Sequence, residues 1–234
     1  MQVHRDTRPS RARLLLAIAL PTMLTAAVLA TSGHLPTTFW VYLGGGCVLA
    51  PWLLLGARPL TGGADGLAFG PRGTRRWRRA WLWLPLLFGP ALLAGHLAVR
   101  PYLGSVPAYR ERVAALGVDL ELPLMAGVVF LILNPLVEEW WWRGQATPRC
   151  CAAFGRRAGL ALATLGFGIY HLVLLAWLFP LPIAALRAVL IAAAGLVWSA
   201  VAMHQGGWRD TYLAHLAADL AMVVLFALVV LPAG

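Results

Sequence analysis

Charge is scarce in this chain. Asp, Glu, Lys and Arg together make up 12% of its 234 residues, against 60% hydrophobic, and mean hydropathy is +0.74. That shortage excludes an ordinary soluble domain, whose charged share runs near a quarter. Lysine is missing altogether: the 19 basic residues are all arginine, a bias of composition that carries no functional weight by itself. Cysteine is nearly absent too. Cys47 lies in an apolar run and Cys150-Cys151 are adjacent, so neither a disulfide framework nor a CxxC metal site is expected. No internal repeat of the kind found in inverted-repeat transporters is visible.

What fills the chain is apolar sequence. Runs of about 18 to 22 residues are needed to cross roughly 30 Å of hydrocarbon. Seven candidates fall near 14–32, 37–56, 81–98, 123–142, 159–179, 183–203 and 211–232. The third is short and holds Pro85 and Pro90, which interrupt a straight helix. The expectation is an all-α, polytopic helix bundle forming a single membrane domain over 1–234. The chemistry-bearing half is about 123–232. A basic stretch precedes the first run, but the run is too long for a signal-peptide core and lacks a small-x-small site, so an uncleaved first helix is expected. The segment 99–122 mixes signs and predicts a short surface helix. Pro180 and Pro182 leave almost no connection between the fifth and sixth runs, which predicts an antiparallel hairpin.

Arginine placement gives an orientation. Arg5, Arg8, Arg11 and Arg13 precede the first run, six arginines from Arg58 to Arg79 follow the second, and Arg143, Arg149, Arg156 and Arg157 follow the fourth. Arg209 follows the sixth, whereas Arg100, Arg110, Arg112 and Arg187 fall on the other side. The positive-inside rule then puts the N-terminus in the cytoplasm and the C-terminus outside, in a bacterial-type cytoplasmic membrane. A pI near 10.9 is compatible with nucleic acid, but arginines at membrane boundaries argue against that partner. The stretch Arg72–Trp81 alternates Arg with Trp and reads as an interfacial segment on anionic lipid.

Three of the apolar runs carry polar groups that lipid does not tolerate cheaply, at about 2.5 to 3.5 kcal/mol per charge on insertion scales. Glu139 and Arg143 are four apart with the Glu N-terminal, the orientation that pairs well on a helix. Glu138 is rotated about 100° away and left for other work. An ion pair closing a membrane helix, with Trp140–Trp142 as an interfacial belt, explains the pair and the tryptophans but not Glu138. His171 follows Phe167 by four and shares its helical face. His215 and Asp219 are also four apart and project to one side of the seventh run, where a carboxylate can orient an imidazole. Each admits a packing explanation singly; together they make an acid/base set. His96 and His204 sit near run ends and read as interfacial.

In order, EExxxR (Glu138, Glu139, Arg143), FxxxH (Phe167, His171) and HxxxN/D (His215, Asp219) resemble the three motifs of the CPBP family. That family contains the type II CAAX prenyl proteases and the bacterial Abi or bacteriocin-immunity proteins. The resemblance covers residues 138–219. It implies an intramembrane endopeptidase in which Glu138 and His171 activate water, while His215 and Asp219 serve the tetrahedral oxyanion. Glu139, Arg143 and Phe167 support them. Prenyl proteases of the family carry Asn in the last place. Asp219 departs from that and weakens a claim on prenylated substrates, leaving a membrane-associated protein or peptide as the expected partner. An ionised carboxylate repels an oxyanion, so Asp219 is expected to orient His215. The favoured reading needs no cofactor. The alternative is Zn²⁺ held by His171, His215 and Glu138, although no HExxH spacing is present. Two further alternatives are a non-catalytic immunity or scaffold protein and a proton-coupled transporter.

Depth raises one conflict. Measured from Arg143 and Asp210, Glu138 and His215 each lie about 7–8 Å inside the membrane boundary, but His171 lies about 20 Å from Arg157 on a straight helix. A tilt, a helix start after Gly159, or a bend near Gly166 and Gly168 is needed to reconcile them.

Overall fold

The computed structural model describes residues 10–57, 87, 89–95, 97, 105–118, 123–205 and 207–230. No strand occurs among them, in keeping with the all-helical expectation. The loop 57–80 beyond Ala57, with its stretch Arg72–Trp81, and His96 lie outside the described residues, as does most of 81–98 apart from helical residues such as 89–95.

The first hairpin starts at Ser10, whose Oγ accepts from the Arg13 N–H at 3.3 Å and caps α1 (Arg11–Ser32). Pro21 lies within α1 and Thr25 Oγ1 donates to its carbonyl at 2.8 Å. The chain returns as one helical rod built from α2 (Leu35–Trp40), a π-helical stretch Val41–Leu49, and α3 (Ala50–Leu55). The two rods approach so closely that a Cβ at Gly46 would stand 2.9 Å from Pro21 Cα. The short helix expected in 99–122 is α4 (Val106–Ala115). It fastens two hairpin turns together. Leu35 N–H donates to Leu116 O at 2.8 Å, and Arg112 Nη1 donates to Leu178 O at 3.1 Å.

The second half departs from the expected span ends. The run 123–142 is only the first part of a longer rod: α5 (Pro123–Glu138), a π-helical stretch Glu139–Ala146, and α6 (Thr147–Phe154). Gly155, at φ 84, turns the chain into α7 (Arg156–Leu178). A Cβ on Gly159 would come within 2.3 Å of Cys151 N, so α6 and α7 touch backbone to backbone there. Phe179 and Pro180 then make the predicted tight turn into α8 (Leu181–Gln205), which packs along α7 before α9 (Arg209–Val230) closes the bundle.

This geometry resolves the conflict in depth and overturns two of its premises. Arg143 is 1% exposed and Trp140, Trp141 and Trp142 are no more exposed than that, so none of them marks a membrane interface. The turn is at Gly155. Arg143 precedes it by twelve residues and Phe167 follows it by twelve, about 18 Å up each arm. The two meet: the guanidinium carbon lies 4.2 Å from the Phe167 ring centre. His171 therefore shares the level of Glu139 without any kink. Gly166 and Gly168 sit inside an uninterrupted α7 and serve close packing. A Cβ at the first would meet Ile18 Cγ2 at 2.5 Å, and at the second Ala192 Cβ at 2.9 Å.

Among the described residues, four helical rods are long and apolar enough to cross a membrane: Arg11–Ser32, Leu35–Leu55, Arg156–Leu178 and Leu181–His204. Their outward faces carry unpaired apolar side chains such as Leu53, Leu181 and Val189, each more than 60% exposed. α5 with the π-helical stretch that continues it, and α9, hold Glu138, Glu139 and Asp219, and α5 packs against α9.

Candidate active site

The interior of the bundle is built around two adjacent carboxylates. Glu138 and Glu139 fall where α5 widens into the π-helical stretch. Such π-helical stretches often occur at functional sites. Both carboxylates are fully buried, and both face His215. The sequence spacing set them on different faces, yet both reach the one imidazole, Glu138 at its Nε2 and Glu139 at its Nδ1.

Glu139 is fully partnered. Its Oε1 accepts from His215 Nδ1 at 2.8 Å and pairs with Arg143 Nη1 at 3.0 Å, and its Oε2 accepts from the Thr211 hydroxyl. Arg143 is wedged between the rings of Phe167 and Trp198 at 4.2 and 5.1 Å, so its charge is met by one carboxylate and two π faces. A Cβ on Gly195 would stand 2.9 Å from Arg143 Nη2 and 2.7 Å from Phe167 Cδ1, which is why glycine is needed there.

Glu138 is partnered on one oxygen only. Its Oε1 accepts from the Tyr42 hydroxyl at 2.9 Å and from the Tyr170 hydroxyl. Its Oε2 accepts no hydrogen bond among the described residues and lies 3.5 Å from His215 Nε2. Neutral partners on one side and an open oxygen on the other suit proton transfer.

The histidines are held in defined tautomers by what their Nδ1 atoms meet. A carboxylate or a carbonyl can only accept, so His215 Nδ1–H donates to Glu139 and leaves Nε2 toward Glu138 and toward Asp219 Oδ1, 3.7 Å away. The His215 ring also stacks on Trp198 at 4.6 Å. Glu139 is thus the orienting partner that the sequence assigned to Asp219. Asp219 Oδ2 accepts instead from Asn134 Nδ2 at 3.0 Å. His171 Nδ1–H donates to Phe167 O at 2.8 Å, one turn back, which presents Nε2 as its basic edge. Its ring packs on Phe167 and Tyr170, the latter being the residue bonded to Glu138.

All seven motif residues therefore gather in one region. Among the described residues no group of three or more His, Cys, Asp or Glu side chains is placed to hold a metal ion.

Residues 120–221 match the family model for type II CAAX prenyl endopeptidase, Rce1-like. That match supports a place for this segment in the CPBP family of CAAX-type proteases. No curated protein and no solved structure matches the chain. The match points to a protease, and the four long apolar rods point to an integral membrane protein. Every motif residue from Glu138 to Asp219 falls inside the matched segment, whereas Tyr42 falls outside it.

Sequence reasoning missed Tyr42, Tyr170, Thr211, Trp198 and Asn134. Asn134 was open to discovery, since it precedes Glu138 by four and shares its face. Tyr42 carried no signal: a tyrosine in an apolar helix is ordinary, and its partner is 96 residues away.

Proposed function

We propose that this protein is an intramembrane endopeptidase that hydrolyses a peptide bond of a membrane-associated protein or peptide, with Glu138 as the base. The supporting observation is the asymmetry of Glu138, with one oxygen held by two phenols and the other unbonded beside His215 Nε2. Water bound between Glu138 Oε2 and the basic edge of His171 gives up a proton to Glu138 as its oxygen attacks the scissile carbonyl carbon. The developing oxyanion accepts from His215 Nε2–H, whose Nδ1 is anchored on Glu139. The C–N bond then breaks, and the proton on Glu138 passes to the departing amine. Arg143 balances Glu139, and Asp219 backs an imidazolium at 215 while Asn134 holds its second oxygen. No step requires a metal.

The proposal extends to topology. Adding the rods that contain α5 and α9, and the apolar run 81–98, gives seven spans in a single domain, with the N-terminus in the cytoplasm. Anionic lipid is the partner of the arginine-rich segment between the second and third spans.

A terminus survey of membrane peptides from the native host tests the reaction. Cells carrying the wild-type protein are compared with cells carrying Glu138→Gln at equal abundance. New protein ends present in the first and missing in the second are expected. If Glu138→Gln rescues a deletion phenotype and the ends are unchanged, the protease reading fails and a binding role replaces it.

A further inference from the structure

We infer that Tyr42, from the first half of the chain, is a positioning residue that acts with Tyr170 to anchor Glu138 Oε1 and so makes Oε2 the working oxygen of the base. This deepens the proposed reaction and rests on it. The two phenols come from opposite halves of the molecule, Tyr42 from the π-helical stretch Val41–Leu49 and Tyr170 from α7. Their rings stack at 4.1 Å with an interplanar angle of 18°, so their hydroxyls arrive side by side at one carboxylate oxygen. Tyr42 is itself fixed, because its oxygen accepts from Trp142 Nε1 at 3.2 Å, which commits its own proton to Glu138. Trp142 is four residues beyond Glu138 on the same rod, closing a ring of contacts from Glu138 through Tyr42 back to its own helix.

The consequence is chemical. A carboxylate free to rotate about its terminal torsion offers either oxygen in varying directions, and misplacement of a reacting atom is costly to rate. Two donors on Oε1 remove that freedom. Oε2 is then left facing His215 Nε2, on the side where Asp219 and His171 are less buried than Glu138. The matched family segment begins at residue 120, so it does not contain all of its own site.

The test reads Glu138 directly. Infrared difference spectra of purified protein in lipid nanodiscs, wild type against Glu138→Gln, isolate the carboxyl bands of Glu138. The same difference is then taken in a Tyr42→Phe background, which keeps the stacked ring and removes one donor. A shifted Glu138 band, with thermal unfolding unchanged, is the expected result, and Tyr170→Phe should shift it as well. An identical band in both backgrounds overturns the inference. In the terminus survey, Tyr42→Phe should slow the appearance of the new ends about tenfold, and Tyr42→Phe with Tyr170→Phe should approach Glu138→Gln. Full activity of that double variant beside an inactive Glu138→Gln defeats the anchor but keeps the base. Ends that persist in Glu138→Gln defeat the base, and the band shift still reports the anchor.

Discussion

Two carboxylates one residue apart have been given opposite tasks by their neighbours. Glu139 bonds Arg143, His215 and Thr211, all donors, and two of them able to carry charge; Glu138 bonds two neutral phenols and has only the far nitrogen of His215, at 3.5 Å, beside its other oxygen. Glu139→Gln leaves Arg143 buried without its counter-charge, and removing one partner of such a pair costs about 3–5 kcal/mol. A large fall in thermal unfolding temperature in detergent is expected, together with loss of activity. His171 should behave differently. It is only partly buried and bonds to a carbonyl of its own helix, so His171→Ala should leave unfolding nearly unchanged. Turnover should drop by about 10²–10⁴, the usual span for a lost acid/base group. A matching fall in stability would mark His171 as a packing residue. The motif residues were legible in the sequence because ionisable groups in apolar runs are expensive and their four-residue spacings were intact. Tyr42, Tyr170 and Trp198 were not, since aromatic residues belong in such helices and carry no charge to betray them.

At the scale of elements, the apolar runs announced α1, α7, α8 and α9 within a few residues, while Pro180 and Pro182 marked the turn at Phe179 and the mixed-sign segment 99–122 marked α4. The π-helical stretches were hidden because nothing in the hydrophobic period distinguishes them, yet they hold Tyr42, Glu139 and Arg143. The end of the fourth span was misplaced for a related reason. Arg143 looked like a boundary charge, whereas a carboxylate and two aromatic rings keep it 1% exposed inside the bundle. What sets the true register is the α6–α7 hairpin, where Gly159 rests on the backbone of Cys150 and Cys151. Gly159→Ala cannot be absorbed by a side-chain shift, because the opposing atoms are backbone. It should cost about 1–3 kcal/mol, the usual range for overpacking. It should also lower turnover by spreading α7 from α6 and moving Phe167 relative to Arg143. Gly155→Ala is the control, since a Cβ there meets nothing within 4 Å and the cost is confined to its φ of 84. Unfolding temperature and turnover measured on both variants separate packing from turn strain.

For the whole molecule, the proposed orientation can be tested at the α6–α7 hairpin. The α6–α7 hairpin turns at Gly155, about 18 Å below the level of Arg143 and Phe167, with Arg156 and Arg157 beside the turn and Arg149 about halfway up the first arm. In the proposed orientation this loop is cytoplasmic, the side on which the positive-inside rule puts arginines of short loops. Arg157 is exposed, which makes it a usable reporter. In a Cys151→Ser background, with Cys47 and Cys150 buried, Arg157→Cys should react with a membrane-impermeant maleimide only after cells are permeabilised. A cysteine placed at exposed Arg112, on α4, should react in intact cells. The two positions lie at opposite ends of α7, because Arg112 bonds the carbonyl of Leu178 while Arg157 opens that helix. Labelling of Arg157→Cys from outside would therefore invert the whole bundle. It would also carry Asp219, one turn beyond His215 along α9, from the outer to the inner side of the catalytic level.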